Sequence, residues 1–472
     1  MDHIYSFRTS MSSESFKMKH IVKRLGLAVA IYIAKRQGPK LLTDVSNRDL
    51  SWRRAVEKGY CMQRRHFILG LVAGRIIAAP KSTTRITRIR LSTLQGRFHK
   101  FVAMNAYDKV PKGHTYEHTL IRIETNEGLE GIGAGTYSLA DGAYAASMKP
   151  LIGANPLDLY TMDSGRVSGR NPTFADLLSK NRHLDAPLFD IIGKLTNRPA
   201  WQLIGDAGRE RVPVYDGTIY FSDVWFRDRG IRAVVEECQE AVKSGYKGVK
   251  IKAGRGDKWL PRTAGDDREI AVVHAVREGI GNNTLLMVDP NYGYKNQLDA
   301  AWRFLKETRD AKLHWMEEIF PETVDSYTRL RATMKENGIN TLIAAGEHMR
   351  DIHGFDPYLK PARLMDVLQL DIRQGGFLDN SKLARMAEEA GAVSIPHNWG
   401  SHIGTIMGVH LSRAMKAVPM AESDRSTCDV LTTGDYKFEN GTFALPAKPG
   451  LAIGIDEDVY KLKCQPNEIV VA

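Results

Sequence analysis

The chain has 472 residues, is 43% hydrophobic and carries a formal net charge of +11 at neutral pH. No run of 18 apolar residues occurs, which excludes a lipid-spanning helix and leaves length for two or three packed cores. The charge is not spread over the chain: residues 1–80 hold 15 Lys+Arg against 5 Asp+Glu, whereas the remaining 392 hold 51 against 50, so the main body offers no basic patch for nucleic acid.

The first 80 residues are set apart from the fold. Met62 begins "MQRRHFILGLVAGRIIAAPKS": two arginines, an apolar stretch, then small residues before Pro80. Arg64, Arg65 and Phe67 resemble a twin-arginine export signal, although Arg75 interrupts the apolar stretch and Ile77 stands where a small residue suits cleavage. Translation from Met62 would send the protein to the periplasm. Otherwise residues 1–80 read as a basic tail and the protein as cytoplasmic. The four cysteines, Cys61, Cys238, Cys428 and Cys464, have no metal-binding spacing and are expected to be free, mostly buried thiols.

From Ile86 the pattern is that of strands, with "HTLIRIETNEGLEGIGAGTY" (118–137) forming a hairpin around Asn126-Glu127-Gly128. A helix follows, with Leu188, Ile191, Ile192 and Leu195 on one face and Pro199 as its stop. Residues 81–210 therefore form an α+β unit. After Arg211 short apolar runs alternate with amphipathic stretches such as "IRAVVEECQEAVKSG" and "SKLARMAEEAG". Eight such runs over residues 211–430 predict a parallel α/β barrel. Residues 431–472 begin with a hairpin over Asn440-Gly441 that is expected to return toward the first unit.

One chemical group stands near the carboxyl end of each run after the first: Lys252, Asp289, Glu317, Glu347, Asp371, His397 and Glu422. The gaps between them are 37, 28, 30, 24, 26 and 25 residues, each about one βα unit. In a parallel barrel these ends open on one face, so the groups converge on a single pocket. Asp289, Glu317 and Glu347 come from neighbouring strands and would repel without a cation between them. An all-oxygen set suits Mg²⁺. Lys250 and Lys252 share a strand face, and their repulsion, together with the nearby cation, is expected to lower the Lys252 pKa and make it a base. Asp371 can orient His397 on the other side. Such a pocket suits removal of the weakly acidic proton next to a small-molecule carboxylate. Two readings from other classes are a Schiff-base aldolase using Lys252, which metal dependence separates from proton abstraction, and a non-catalytic binding protein that has kept the fold, which would be expected to lose ligands, and none is lost.

The motifs "KIK" (250–252), "DPN" (289–291), "MEE" (316–318), "GE" (346–347), "LQLD…GG" (368–376) and "PHN" (396–398) resemble those of the enolase superfamily, mandelate racemase/muconate-lactonizing branch, over residues 85–465. The resemblance implies a modified (β/α)₇β barrel under an α+β capping domain, and one Mg²⁺ per subunit on Asp289, Glu317 and Glu347. It further implies Lys252 and a His397–Asp371 dyad as opposed acid/base groups, Glu422 as hydrogen-bond partner of the substrate carboxylate, selectivity loops near 102–116 and 135–142, and a homo-oligomer. Two departures are visible. Ile319 and Phe320 stand before Pro321, and Asp371 precedes the glycine pair by four residues, leaving Asp366 as a second dyad candidate. Dehydration of an aldonate or aldarate is the leading expectation, with His348, Asn398 and Arg373 as further polar groups for a polyhydroxylated acid. A racemase or epimerase of a 2-hydroxy acid is the alternative.

Overall fold

Alternating apolar residues draw Ile86–Val102 into one 17-residue strand that buries Ile86, Ile89, Leu91 and Leu94. This strand belongs to a computed structural model that describes residues 83–135, 142–295 and 297–472. The twin-arginine stretch, Cys61 and residues 136–141 lie outside the described residues. The long strand pairs antiparallel with Gly113–Thr125, which pairs in turn with Glu130–Gly135. The turn between the latter two has Gly128 at φ 75°, as expected of the hairpin. Helix Asp185–Thr196 lies against this sheet and fully buries Leu188, Ile191 and Ile192, each contributing about 1.5–3 kcal/mol. The close approach requires Gly131, where a Cβ would come 2.0 Å from the Pro187 carbonyl oxygen. Left-handed Asn197 ends the helix two residues before Pro199.

Eight parallel strands follow: Arg211–Ile219, Gly248–Lys252, Leu285–Asp289, Trp315–Glu317, Leu342–Ala345, Val367–Leu368, Val393–Ser394 and Ala421–Ser423. Strands one to seven pair in order, and the eighth pairs with the first. The seventh strand joins the segment leading into the eighth, where Ser394 N donates to Ala417 O at 2.9 Å. The fold is therefore the expected barrel with its cap. Tyr215, Met287, Trp315, Ala344, Val367 and Ile395 form a core separate from the larger one between strands and helices. After the fifth strand the connection has only short helical turns, Ile352–Phe355 and Asp356–Leu359.

The C-terminal segment returns to the cap as expected, through Ile469–Val471, but its hairpin does not. The hairpin over Asn440-Gly441 is present, as Lys437–Glu439 and Thr442–Ala444, but it pairs with the first barrel strand, Thr442 opposite Pro213. Ser426–Thr427 and Ile469–Val471 are the segments that add to the cap sheet, both on its first strand. Cys238, Cys428 and Cys464 are free and buried. No helix among the described residues is long and apolar enough to cross a membrane.

Just past the second barrel strand, Arg255 is fully buried on Asp223, at 2.7 Å, and on Glu269. It also donates to the Lys252 carbonyl at 3.3 Å. Replacing it with methionine strands two buried carboxylates, although Arg268 still reaches Asp223 at 3.2 Å. Arg255→Met should cost about 3–5 kcal/mol, read as a lower denaturant midpoint.

Candidate active site

The strand ends bring the expected groups together. Lys252 and Asp289 are opposite each other in the pairing of strands two and three, and the Lys252 ammonium touches Asp289 Oδ2. Two residues earlier on the same face, Lys250 Nζ lies 2.6 Å from Glu317 Oε1 and 2.9 Å from Glu422 Oε1. Gly217 leaves the room for this, since a Cβ there would stand 2.3 Å from Glu422 Oε1. The second oxygen of Glu422 accepts from Asn398 N at 2.9 Å, so both its oxygens are engaged within the protein. Glu317 Oε2 accepts from Gln369 Nε2 at 2.8 Å and Trp315 Nε1 at 3.1 Å.

These contacts set the Lys252 charge before any cation is bound. Lys250 lowers the Lys252 pKa, as expected, but is not the largest influence on it. Burial alone would lower its pKa, but the Asp289 carboxylate and the Tyr220 ring, 5.1 Å away, outweigh both burial and Lys250 and raise it. The Lys250 charge is already answered by Glu317 and Glu422, and Lys250 too is raised well above the ordinary lysine value despite its burial. It serves as a buried counter-charge. Burial, reinforced by Asp289 and Glu422, pushes Glu317 up to about 7 even with Lys250 in contact.

On the far side, the N-terminus of helix Ile372–Glu389 orients the dyad. Asp371 caps it, accepting from Arg373 N at 3.0 Å and Gln374 N at 2.9 Å through Oδ1. Its Oδ2 faces His397 Nδ1 at 2.9 Å. Burial would raise Asp371, but Arg373, His397 and the backbone N–H groups hold it well below the usual carboxylate range. His397 Nε2 faces Glu347 Oε2 at 3.4 Å. Burial opposes charge on the imidazole, yet Glu347 and Asp371 outweigh it and push the pKa up to about 9. The rival dyad candidate, Asp366, is held by Arg331 at 2.6 Å and Arg363 at 3.0 Å and accepts from Ile343 N.

The His397 shift has a stability consequence with a definite sign. A raised pKa stabilises the fold fully below the ordinary imidazole value of 6.5, and the contribution is lost as pH rises through about 9. In metal-free protein the unfolding free energy should therefore fall across that window by about 3 kcal/mol, read as a lower denaturant midpoint. Asp371→Asn should shrink the effect.

Ligand atoms of Asp289, Glu317 and Glu347 all lie within 4.8 Å of one another. All three side chains are buried, and Glu347 Oε2 has no hydrogen-bond partner. Three converging oxygen donors, with one buried oxygen that makes no hydrogen bond and faces only the His397 ring at 3.4 Å, fit a hard divalent cation. Lys252 stands at the Asp289 end of this trio and His397 at the Glu347 end.

Two residues join the site without having been singled out. Glu318 is fully buried beside Glu317. Its Oε2 accepts from Tyr107 OH at 2.5 Å and from Asn291 Nδ2 at 3.3 Å. Tyr107 belongs to the cap loop expected to select substrate. Lys258 fastens that loop at the Ala106 and Tyr107 carbonyls, and Trp259 Nε1 at the Asn105 carbonyl. The Tyr107 hydroxyl also lies 2.9 Å from His348 Nε2. Of the other polar groups expected near the site, Arg373 is held by His118 at 2.8 Å and the Trp399 carbonyl at 3.0 Å. Asn398 binds Thr405 at 3.0 Å.

Comparison with known proteins gives a consistent picture. Residues 233–459 match a family model described as "Enolase C-terminal domain-like". The chain is 27% identical over 364 residues to D-xylonate dehydratase of Haloferax volcanii, covering 73% of this chain and 85% of that protein. Galacturonate dehydratase from Geobacillus sp., solved with D-galacturonate and 5-keto-4-deoxy-D-galacturonate, superposes with a TM-score of 0.71 at 28% identity, covering 83% of this chain and all of that one. A mandelate racemase/muconate lactonizing protein from Geobacillus sp., complexed with magnesium and tartrate, gives a TM-score of 0.70 at 29% identity, over 82% and 97% of the two chains.

Proposed function

The chain belongs to the enolase superfamily, in its mandelate racemase/muconate-lactonizing branch, and we propose that it dehydrates a sugar acid, an aldonate or aldarate, to the 2-keto-3-deoxy acid with one Mg²⁺ per subunit. The observation that carries this reading is the placing of Lys252 and His397 at opposite ends of a carboxylate trio. When bound by Asp289, Glu317 and Glu347, the cation supplies Lewis-acid charge for the substrate carboxylate and takes up the Asp289 charge that keeps Lys252 protonated.

Lys252, in its neutral form, removes the α-proton, and the electron pair left on carbon delocalises into the substrate carboxylate. His397, held as imidazolium by Asp371 and Glu347, donates its proton to the β-hydroxyl. The electron pair returns to form the Cα–Cβ double bond as the β C–O bond breaks and water departs, and the resulting enol tautomerises to the ketone. Lys250 is the fixed charge that balances Glu317 and Glu422 within the pocket, and Glu422 braces the Asn398 loop from its other oxygen. The fastened cap loop places Tyr107 beside the site.

The same pair of groups suits a racemase, because a proton returned by His397 on the opposite face inverts the α-carbon. A screen of purified protein with Mg²⁺ against aldonic and aldaric acids separates the two. Formation of 2-keto acid supports dehydration; α-proton exchange in D₂O without a keto product supports racemisation. A homo-oligomer belongs to the same proposal and is read by light scattering.

A further inference from the structure

Beside the trio stands another buried carboxylate, Glu318, that the proposed chemistry does not use. Asp289, Glu317, Glu318, Glu347 and Glu422 are all buried, and Lys250, Lys252 and His397 are the basic groups that pair with Asp289, Glu317, Glu347 and Glu422. Glu318 makes no ion pair with either lysine. Its Oε2 is satisfied by Tyr107 and Asn291, whereas its Oε1 is buried without a hydrogen-bond partner and points toward His348, whose Nε2 is 3.7 Å away. The same Nε2 is 3.5 Å from Glu347 Oε1. Ligand atoms of Glu318, Glu347 and His348 lie within 4.8 Å of one another, a second set that shares Glu347 with the first.

We propose that Glu318, Glu347 and His348 form a second divalent-cation position, bridged to the first through Glu347 and selective for an ion that accepts imidazole, such as Mn²⁺ or Zn²⁺. The donor chemistry sets the selectivity. The first set is all oxygen and suits Mg²⁺, whereas two carboxylates with one imidazole suit the borderline transition ions. A shared carboxylate holds two such ions about 3.5–4 Å apart. The His348 side chain is half exposed, at 48%, which leaves a route for entry. Tyr107 has one hydroxyl proton and two neighbours, Glu318 Oε2 and His348 Nε2. A cation on Nε2 commits that proton to Glu318 and leaves Oε1 free to ligate.

The inference rests on the placement of the first ion, and its test separates the two. Metal-free protein is dialysed against Mn²⁺, bound metal per chain is counted by plasma mass spectrometry, and the electron paramagnetic resonance spectrum is recorded. Two Mn²⁺ per chain with a spin-coupled spectrum are expected. His348→Ala and Glu318→Gln should each reduce the count to one and remove the coupling, and excess Mg²⁺ should displace one ion of the two. One Mn²⁺ per chain in the unmodified protein, or a second ion that survives both substitutions, overturns the proposal. If the single remaining ion is lost in Asp289→Asn, the first placement stands alone. If it is kept in Asp289→Asn and lost in His348→Ala, the first placement fails as well.

Discussion

Lys252→Ala and His397→Asn are each expected to lower kcat by about 10²–10⁴-fold on the substrate that the unmodified protein dehydrates, the range that a positioned acid or base contributes. The loss should fall on kcat more than on KM, because neither group is among those proposed to hold the substrate carboxylate. The double variant should lose less than the product of the single losses, since the two groups serve one proton-transfer sequence. Both proteins should fold when Mg²⁺ is present. Asp289, which loses its ion-pair partner in Lys252→Ala, is then engaged by the cation. Steady-state kinetics with thermal melts in Mg²⁺ check these statements together. Equal activity in either single variant contradicts the assigned role.

Removal of the metal is the second large effect. Treatment with EDTA should bring turnover to background, and excess Mg²⁺ should restore it. Borohydride with substrate should trap nothing on Lys252, as befits a base that forms no covalent bond. Glu347→Gln should mimic the metal-free state, because Glu347 belongs to the trio and also faces His397. The metal-free protein gathers buried carboxylates that repel one another, so Mg²⁺ should raise its melting temperature. A stabilisation of about 2.7 kcal/mol is expected at a free concentration 100 times the dissociation constant. Activity that persists in EDTA would return the aldolase reading to consideration.

The barrel and most of the site were legible because their signals are periodic. A functional group every 24 to 37 residues matches one βα unit, and a parallel barrel turns that spacing into a common rim. Glu318 was not legible in this way. Successive strand residues point to opposite faces, so Glu317 in the pocket places Glu318 outside it. The strand ends at Glu317, however, and Glu318 takes φ 43°, which lets both carboxylates enter the same cluster. Tyr107 reaches Glu318 across 211 residues of sequence, a contact without periodicity.

The charge balance at Lys252 was legible only in part for a related reason. Sequence placed two lysines side by side but left unseen the contact of Lys252 with Asp289 and the partners of Lys250, and without a cation Asp289 outweighs Lys250. The choice between Asp366 and Asp371 likewise waited on tertiary contacts, two arginines for the first and an imidazole for the second. The hairpin at Asn440-Gly441 was read from its local turn chemistry, whereas its partner strand is more than 200 residues away.

The division of labour between Lys252 and His397 is tested most directly by α-proton exchange in D₂O, followed by proton NMR on an acid that the protein dehydrates. His397→Asn is predicted to wash deuterium into the α-position while forming little keto product, because Lys252 still removes and returns the proton but the hydroxyl lacks its acid. Lys252→Ala is predicted to do neither. Exchange that survives in Lys252→Ala, or is lost in His397→Asn alone, would contradict the account.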